Sequence, residues 1–89
     1  MAWSIELSSR ARKDLAALDR PVQRRIARAI TMLEDDPRPQ ASRALSGADS
    51  EIRRLRVGDH RIIYEVRDSV LLVLIIKIGH RREVYRRIP

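Results

Sequence analysis

Gly58-Asp59 constrains this chain more than any other feature, because it separates two strand-like runs, Ile52 to Val57 and His60 to Arg67. Glycine supplies the positive φ that a two-residue hairpin loop needs, so the pair predicts an antiparallel hairpin with a fixed register. Val57 then faces His60, Arg56 faces Arg61, Leu55 faces Ile62 and Arg54 faces Ile63. Directly opposed residues share a sheet face. Leu55, Val57, Ile62, Tyr64 and Val66 therefore form a core side, while Arg54, Arg56, Arg61 and Glu65 take the other. Like charges directly opposed destabilise a strand pair. The Arg56/Arg61 pairing thus works against folding unless an anion, or a carboxylate such as Glu65, compensates, and a phosphate is the anion that three converging guanidiniums suit best.

The flanking segments complete an α+β pattern. Trp3, Ile5 and Leu7 alternate with Ser4 and Glu6 as in a half-buried strand. Ser8 or Ser9 offers a helix cap. Ala11, Leu15 and Leu18 follow at helical spacing, with Arg10, Arg12, Lys13 and Asp14 expected outward. Asp19-Arg20-Pro21 ends this helix and opens a second, whose apolar face is Val22, Ile26, Ile30 and Leu33. Pro37 to Ser50 lacks sustained periodicity and reads as a surface loop. A two-residue turn at Asp68-Ser69 leads into Val70 to Ile78, whose apolar residues on both faces suit an interior strand. The expected order is an N-terminal strand, a two-helix hairpin and an antiparallel β-meander forming a small sheet. Tyr64 and Trp3 are expected in the core. The last strand should return Gly79-His80-Arg81 to the Gly58-Asp59 end, with the segment that follows folding Tyr85 toward the arginines.

At 89 residues the chain is read as one domain, 1–89. A core of this size supplies only about 3–5 kcal/mol of net stability, so a bound partner would matter. Nineteen Lys and Arg against twelve Asp and Glu give a net charge of +7, which attracts polyanions: nucleic acid, an anionic membrane or an acidic protein. Lysine occurs only at Lys13 and Lys77, and this arginine bias favours bidentate phosphate contacts. The absence of cysteine excludes a disulfide framework and Cys-ligated zinc, and suits a reducing cytoplasm. The two histidines, His60 and His80, lack metal-ligand spacing, so neither a metal nor a small-molecule cofactor is expected. No signal peptide is read at the N-terminus, and the apolar run Val70 to Ile76 is too short for a bilayer, so no membrane partner is expected.

The run Arg54-Leu55-Arg56-Val57-Gly58-Asp59-His60-Arg61-Ile62-Ile63-Tyr64, followed by Ile78-Gly79-His80-Arg81-Arg82-Glu83-Val84-Tyr85, resembles the RelE branch of the RelE/ParE toxin superfamily. Leu45-Ser46-Gly47 and the Asp36-Pro37 break are similar too, so the resemblance spans nearly the whole chain. It implies the toxin of a type II toxin-antitoxin pair, a cytoplasmic protein with a cognate antitoxin, which enters the ribosomal A site and cuts messenger RNA. It also implies that Arg61, Arg81 and Tyr85 are catalytic and that Arg54 supports the substrate phosphate. Arg53, Arg56 and His80 extend the RNA-binding set.

Two positions depart from the family pattern: Ile52 stands where a lysine is common, with Arg53 as a neighbouring replacement for its charge, and His60 stands where an aromatic precedes Arg61. The acid and base stay open among Tyr85, Arg81 and His80, since an imidazole's reference pKa lies near neutrality and suits either role. Two other readings stay open, a ParE-like inhibitor of DNA gyrase and an inactive relative that binds only RNA or antitoxin. With 3% aromatic residues the chain lacks a base-stacking platform.

Overall fold

In the computed structural model, which describes residues 3–47 and 51–82, the order is β1 (Ser4–Leu7), α1 (Ser9–Ala16), α2 (Arg20–Met32), β2 (Ser42–Gly47), β3 (Glu51–Val57), β4 (His60–Arg67), a 3₁₀ turn (Asp68–Val70) and β5 (Leu72–His80). The five strands lie in the order β1-β5-β4-β3-β2. β1 runs parallel to β5, and every other neighbouring pair is antiparallel. This is the expected α+β arrangement with one strand added.

That strand is β2, which corrects the reading of residues 37–50 as a loop. Ser42-Arg43-Ala44-Leu45-Ser46-Gly47 has no β-branched or aromatic residue, so nothing local marks it. It becomes a strand because β3 offers an unpaired edge, with Arg43 opposite Arg54 and Ser42 opposite Leu55. The preceding segment is pinned by polar contacts. Ser42 Oγ donates to the Pro39 carbonyl at 2.7 Å and accepts from Arg53, while the buried Tyr64 hydroxyl donates to the Pro37 carbonyl at 2.7 Å. Burial pushes the Tyr64 phenol above its usual pKa, so it remains a neutral donor.

The two helices pack on one sheet face. Ile26, Ile30 and Leu33 of the α2 segment and Ala11 of α1 meet Leu55, Ile62, Tyr64, Val66, Val73, Ile75 and Ile78 in one core, with Trp3 packed against it half-buried. The α1 start also closes the β5 edge beyond the last β1 pair, Leu7 with Ile75. Ser8 caps the helix by accepting from the Ala11 N–H at 3.0 Å, and its hydroxyl donates to the Ile76 carbonyl at 2.7 Å. Asp14 was expected outward. Instead its carboxylate turns to the sheet and accepts the Ile78 N–H at 3.0 Å, because β1 has ended and that donor needs a partner.

An ion network ties the far end of the sheet. Arg38 donates through Nε to Glu51 at 2.7 Å and through Nη2 to Asp68 at 2.8 Å, and Glu51 also accepts from Arg53. Burial alone would raise the Glu51 carboxyl, but the Arg38 and Arg53 hydrogen bonds outweigh it and hold the group low. The Arg38 hydrogen bond likewise lowers Asp68. Carboxylates depressed on folding stabilise fully above their unfolded pKa values, near 4, and lose that contribution as pH falls through the folded values. Arg38→Gln is therefore expected to lower Tm at pH 7, with the gap to wild type closing as pH falls below about 4, the unfolded carboxylate value. A gap independent of pH in thermal melts would contradict this assignment.

Candidate phosphate-binding site

The β3–β4 register is the one deduced from Gly58-Asp59: Val57 opposes His60, Arg56 opposes Arg61, Leu55 opposes Ile62 and Arg54 opposes Ile63. Gly58 has φ of +60°, the left-handed conformation that tight hairpin loops require. On β5, His80 opposes His60, Gly79 opposes Arg61, Ile78 opposes Ile62 and Lys77 opposes Ile63. Two rows of cations therefore cross the face away from the helices. One holds Arg56 and Arg61 beside Gly79, where no side chain intervenes. The next holds Arg43, Arg54 and Lys77 around Ile63, a residue that is buried yet lies outside the helix-side core.

The turn between β4 and β5 is longer than expected. The 3₁₀ segment is followed by Leu71 at φ 51°, so Arg67 pairs with Leu72. A bulge at Ile76 adds a further shift, since Tyr64 pairs with Ile75 but Ile63 with Lys77. Arg81 nevertheless reaches the expected end, with its N–H donating to the Asp59 carbonyl at 2.8 Å.

Each anticipated residue has a distinct setting. Arg56 and Arg81 are exposed. Arg54 is half-buried on the cationic face. Arg61 is only 7% exposed, and its Nη1 donates to the Gly58 carbonyl at 3.0 Å and the His60 carbonyl at 2.9 Å. Both bonds use one nitrogen, so the rest of the guanidinium fork can address an anion. Tyr85 lies outside the described residues.

Two members of the anticipated set are not on this face. Arg53 opposes Tyr64 and faces the helix side, bonded to Glu51 and Ser42. Alternation puts it one face away from Arg54, so it does not replace a lysine at position 52. His80 shares the helix-side face with His60, their rings edge to face with centroids 5.7 Å apart. The His80 Nδ1 accepts the Arg82 N–H at 3.2 Å, a local turn contact.

Arg43 and Lys77 were missed. Arg43 was hidden by the loop reading of β2. Lys77 was hidden by the bulge at Ile76, since strict alternation from Val73 and Ile75 would turn position 77 toward the core. In sequence, the unexpected charge inside an apolar strand was the one available sign.

A family model for the ParE toxin of type II toxin-antitoxin systems matches residues 5–85. The chain therefore belongs to the ParE/RelE family of type II toxins. It is 28% identical over 87 residues to the mRNA interferase toxin RelE of Escherichia coli K12, covering 96% of this chain and 92% of that protein. It is 29% identical over 89 residues to a putative toxin RelE1 of Methanocaldococcus jannaschii, covering 97% and 98%. Among solved structures, the archaeal RelE-RelB complex from Pyrococcus horikoshii OT3 superposes with a TM-score of 0.85 at 27% identity, covering 94% of this chain and all of that one. Among the described residues, no helix is long and apolar enough to cross a membrane.

Proposed function

We propose that this protein is a single-domain cytoplasmic toxin that cuts messenger RNA in the ribosomal A site and is held inactive by a cognate antitoxin. The observation that carries this reading is the pairing of Arg56 with Arg61 beside Gly79, bordered by the Arg43, Arg54 and Lys77 row. Such a repulsive arrangement has a physical purpose if a phosphate sits over it. The RelE names of the relatives and the RelE-RelB complex support the substrate and the partner respectively.

The chemistry is an in-line transesterification. Tyr85 removes the 2′-hydroxyl proton, O2′ bonds to phosphorus, and the bond to the 5′-oxygen breaks after protonation, leaving a 2′,3′-cyclic phosphate and a 5′-hydroxyl. A phenol is a weak base at its reference pKa of about 10, and surrounding cations favour its phenolate. Arg61 and Arg81 stabilise the phosphorane charge, with Arg54, Arg56, Arg43 and Lys77 holding flanking phosphates. Arg81 is the acid adjoining this face, while the ring of His80 belongs to the helix side. Lys77 takes over the cationic duty of the lysine that Ile52 lacks.

A ParE-like inhibitor that binds gyrase is the second reading, favoured by the name of the matching family model. One experiment separates the two. The wild-type chain, Arg81→Ala and Tyr85→Phe are induced in cells, and messenger RNA 5′ ends are mapped on translated transcripts. New cuts that both substitutions abolish are expected. Growth arrest with no cuts and with inhibited gyrase would replace this reading by the second.

A further inference from the structure

Helix α2 carries Arg20, Arg24, Arg25 and Arg28 and no acidic residue across its span. All four side chains are exposed, and none forms an ion pair among the described residues. Arg20, Arg24 and Arg28 recur every fourth residue, which stacks them along one stripe of the helix about 6 Å apart. Each neighbouring pair in that stripe repels, and Arg20 in the first turn opposes the helix dipole. Helix stability does not select this pattern. The stripe is long, single-signed and formed only of arginine, with a step comparable to that between successive phosphates on a nucleic-acid strand.

This surface is continuous with the hairpin tip. A Cβ on Gly58 would stand 3.3 Å from Arg25 Nη1, so the Arg25 guanidinium lies over the turn that joins Arg56 to Arg61. Arg25, Arg28 and Arg56 also border a mainly apolar groove of about 380 Å³ between α2 and β3, which Asp36 lines as well. Exposed arginines therefore recur from the outer side of α2, through Arg25 at Gly58, to Arg56 on the sheet face that bears the candidate site.

We propose that α2 is a second RNA-binding surface, in which Arg20, Arg24 and Arg28 grip the phosphate backbone of a structured RNA without reading its sequence and Arg25 bridges to the hairpin. This deepens the proposed function and rests on RNA being the substrate. The stripe would supply affinity and orientation, leaving bond cleavage to the sheet face. Guanidinium forks suit phosphodiester oxygens, and a ladder of fixed spacing suits a regular backbone better than the irregular carboxylates of an acidic peptide.

The test uses the full chain and its Arg20→Gln/Arg24→Gln/Arg28→Gln variant, with helix content and melting followed to establish that both fold. Binding to a 20-base-pair RNA hairpin is measured across a salt series, with Arg54→Gln/Arg56→Gln as the sheet-face control. Each phosphate contact contributes about 0.9 to the slope of log affinity against log salt in a duplex. The α2 variant is expected to lose about 2–3 from that slope, and the control's loss is expected to add to it. An unchanged slope overturns the proposal. Because this assay reads binding rather than cutting, a toxin that makes no messenger RNA cuts yet shows the α2-dependent slope would refute the nuclease reading alone.

Discussion

Arg81→Ala is expected to reduce messenger RNA cleavage by about 10²- to 10³-fold, the usual loss when one fixed donor to a developing oxyanion is removed, while leaving the melting temperature unchanged. The side chain is exposed, and the contact holding this residue to the hairpin tip comes from its backbone N–H, which alanine retains. Arg61→Ala should differ. It removes the same kind of phosphate donor but also strips the Gly58 and His60 carbonyls of a buried partner, so activity and stability fall together, the latter by about 1–3 kcal/mol. Cleavage rates and thermal melts on both variants check this. A melting temperature lowered equally by both substitutions would contradict the division of labour. Arg81→Ala at full cleavage rate would remove Arg81 from the catalytic set.

The largest effect on folding is expected at Tyr64. This side chain is fully buried among Ile62, Val66 and Ile75, and its hydroxyl is bonded to the Pro37 carbonyl. Truncating a large aromatic in a core costs about 3–5 kcal/mol, which matches the whole net stability expected for a core this small. Tyr64→Ala should therefore be largely unfolded at 25 °C without a partner. Tyr64→Phe keeps the ring and loses mainly the hydrogen bond, a cost of about 1 kcal/mol, and should fold with a modestly lower melting temperature. Urea denaturation of the two variants measures the difference. A Tyr64→Ala chain as stable as Tyr64→Phe would mean that the ring contributes little to the core.

Where a local signal decides the geometry, the sequence was sufficient. Gly58-Asp59 specified its loop and thereby the whole β3–β4 register, including the Arg56/Arg61 confrontation. Ser8 and Pro21 marked the helix starts for similar reasons. What stayed hidden depends on neighbours distant in sequence. β2 exists because β3 has an edge to fill, and Asp14 turns inward because β1 stops short of Ile78. The candidate site divides along the same line. Arg54, Arg56 and Arg61 follow from the loop, whereas Arg43 and Lys77 depend on a strand without a local signature and on a bulge. Arg53 was assigned by proximity in sequence to the missing lysine, although adjacent residues on a strand point to opposite faces.

The bulge at Ile76 makes β5 change phase partway along its length. Up to Ile75 the odd-numbered positions carry the helix-side core; beyond it, the even-numbered ones do, with Ile78 on the helix side and Lys77, itself buried, on the opposite face. One surplus residue thus lets a single strand keep apolar side chains in the core along its whole length while presenting Lys77 to the face of the proposed phosphate site. Excising Ile76 would restore strict alternation and preserve the facing of both ends, whereas a strand of the present length without the bulge would exchange them, turning Lys77 toward the helix-side core and Ile78 away from it. For this fold, the single residue between Ile75 and Lys77 is as much a part of the proposed phosphate site as the cations themselves.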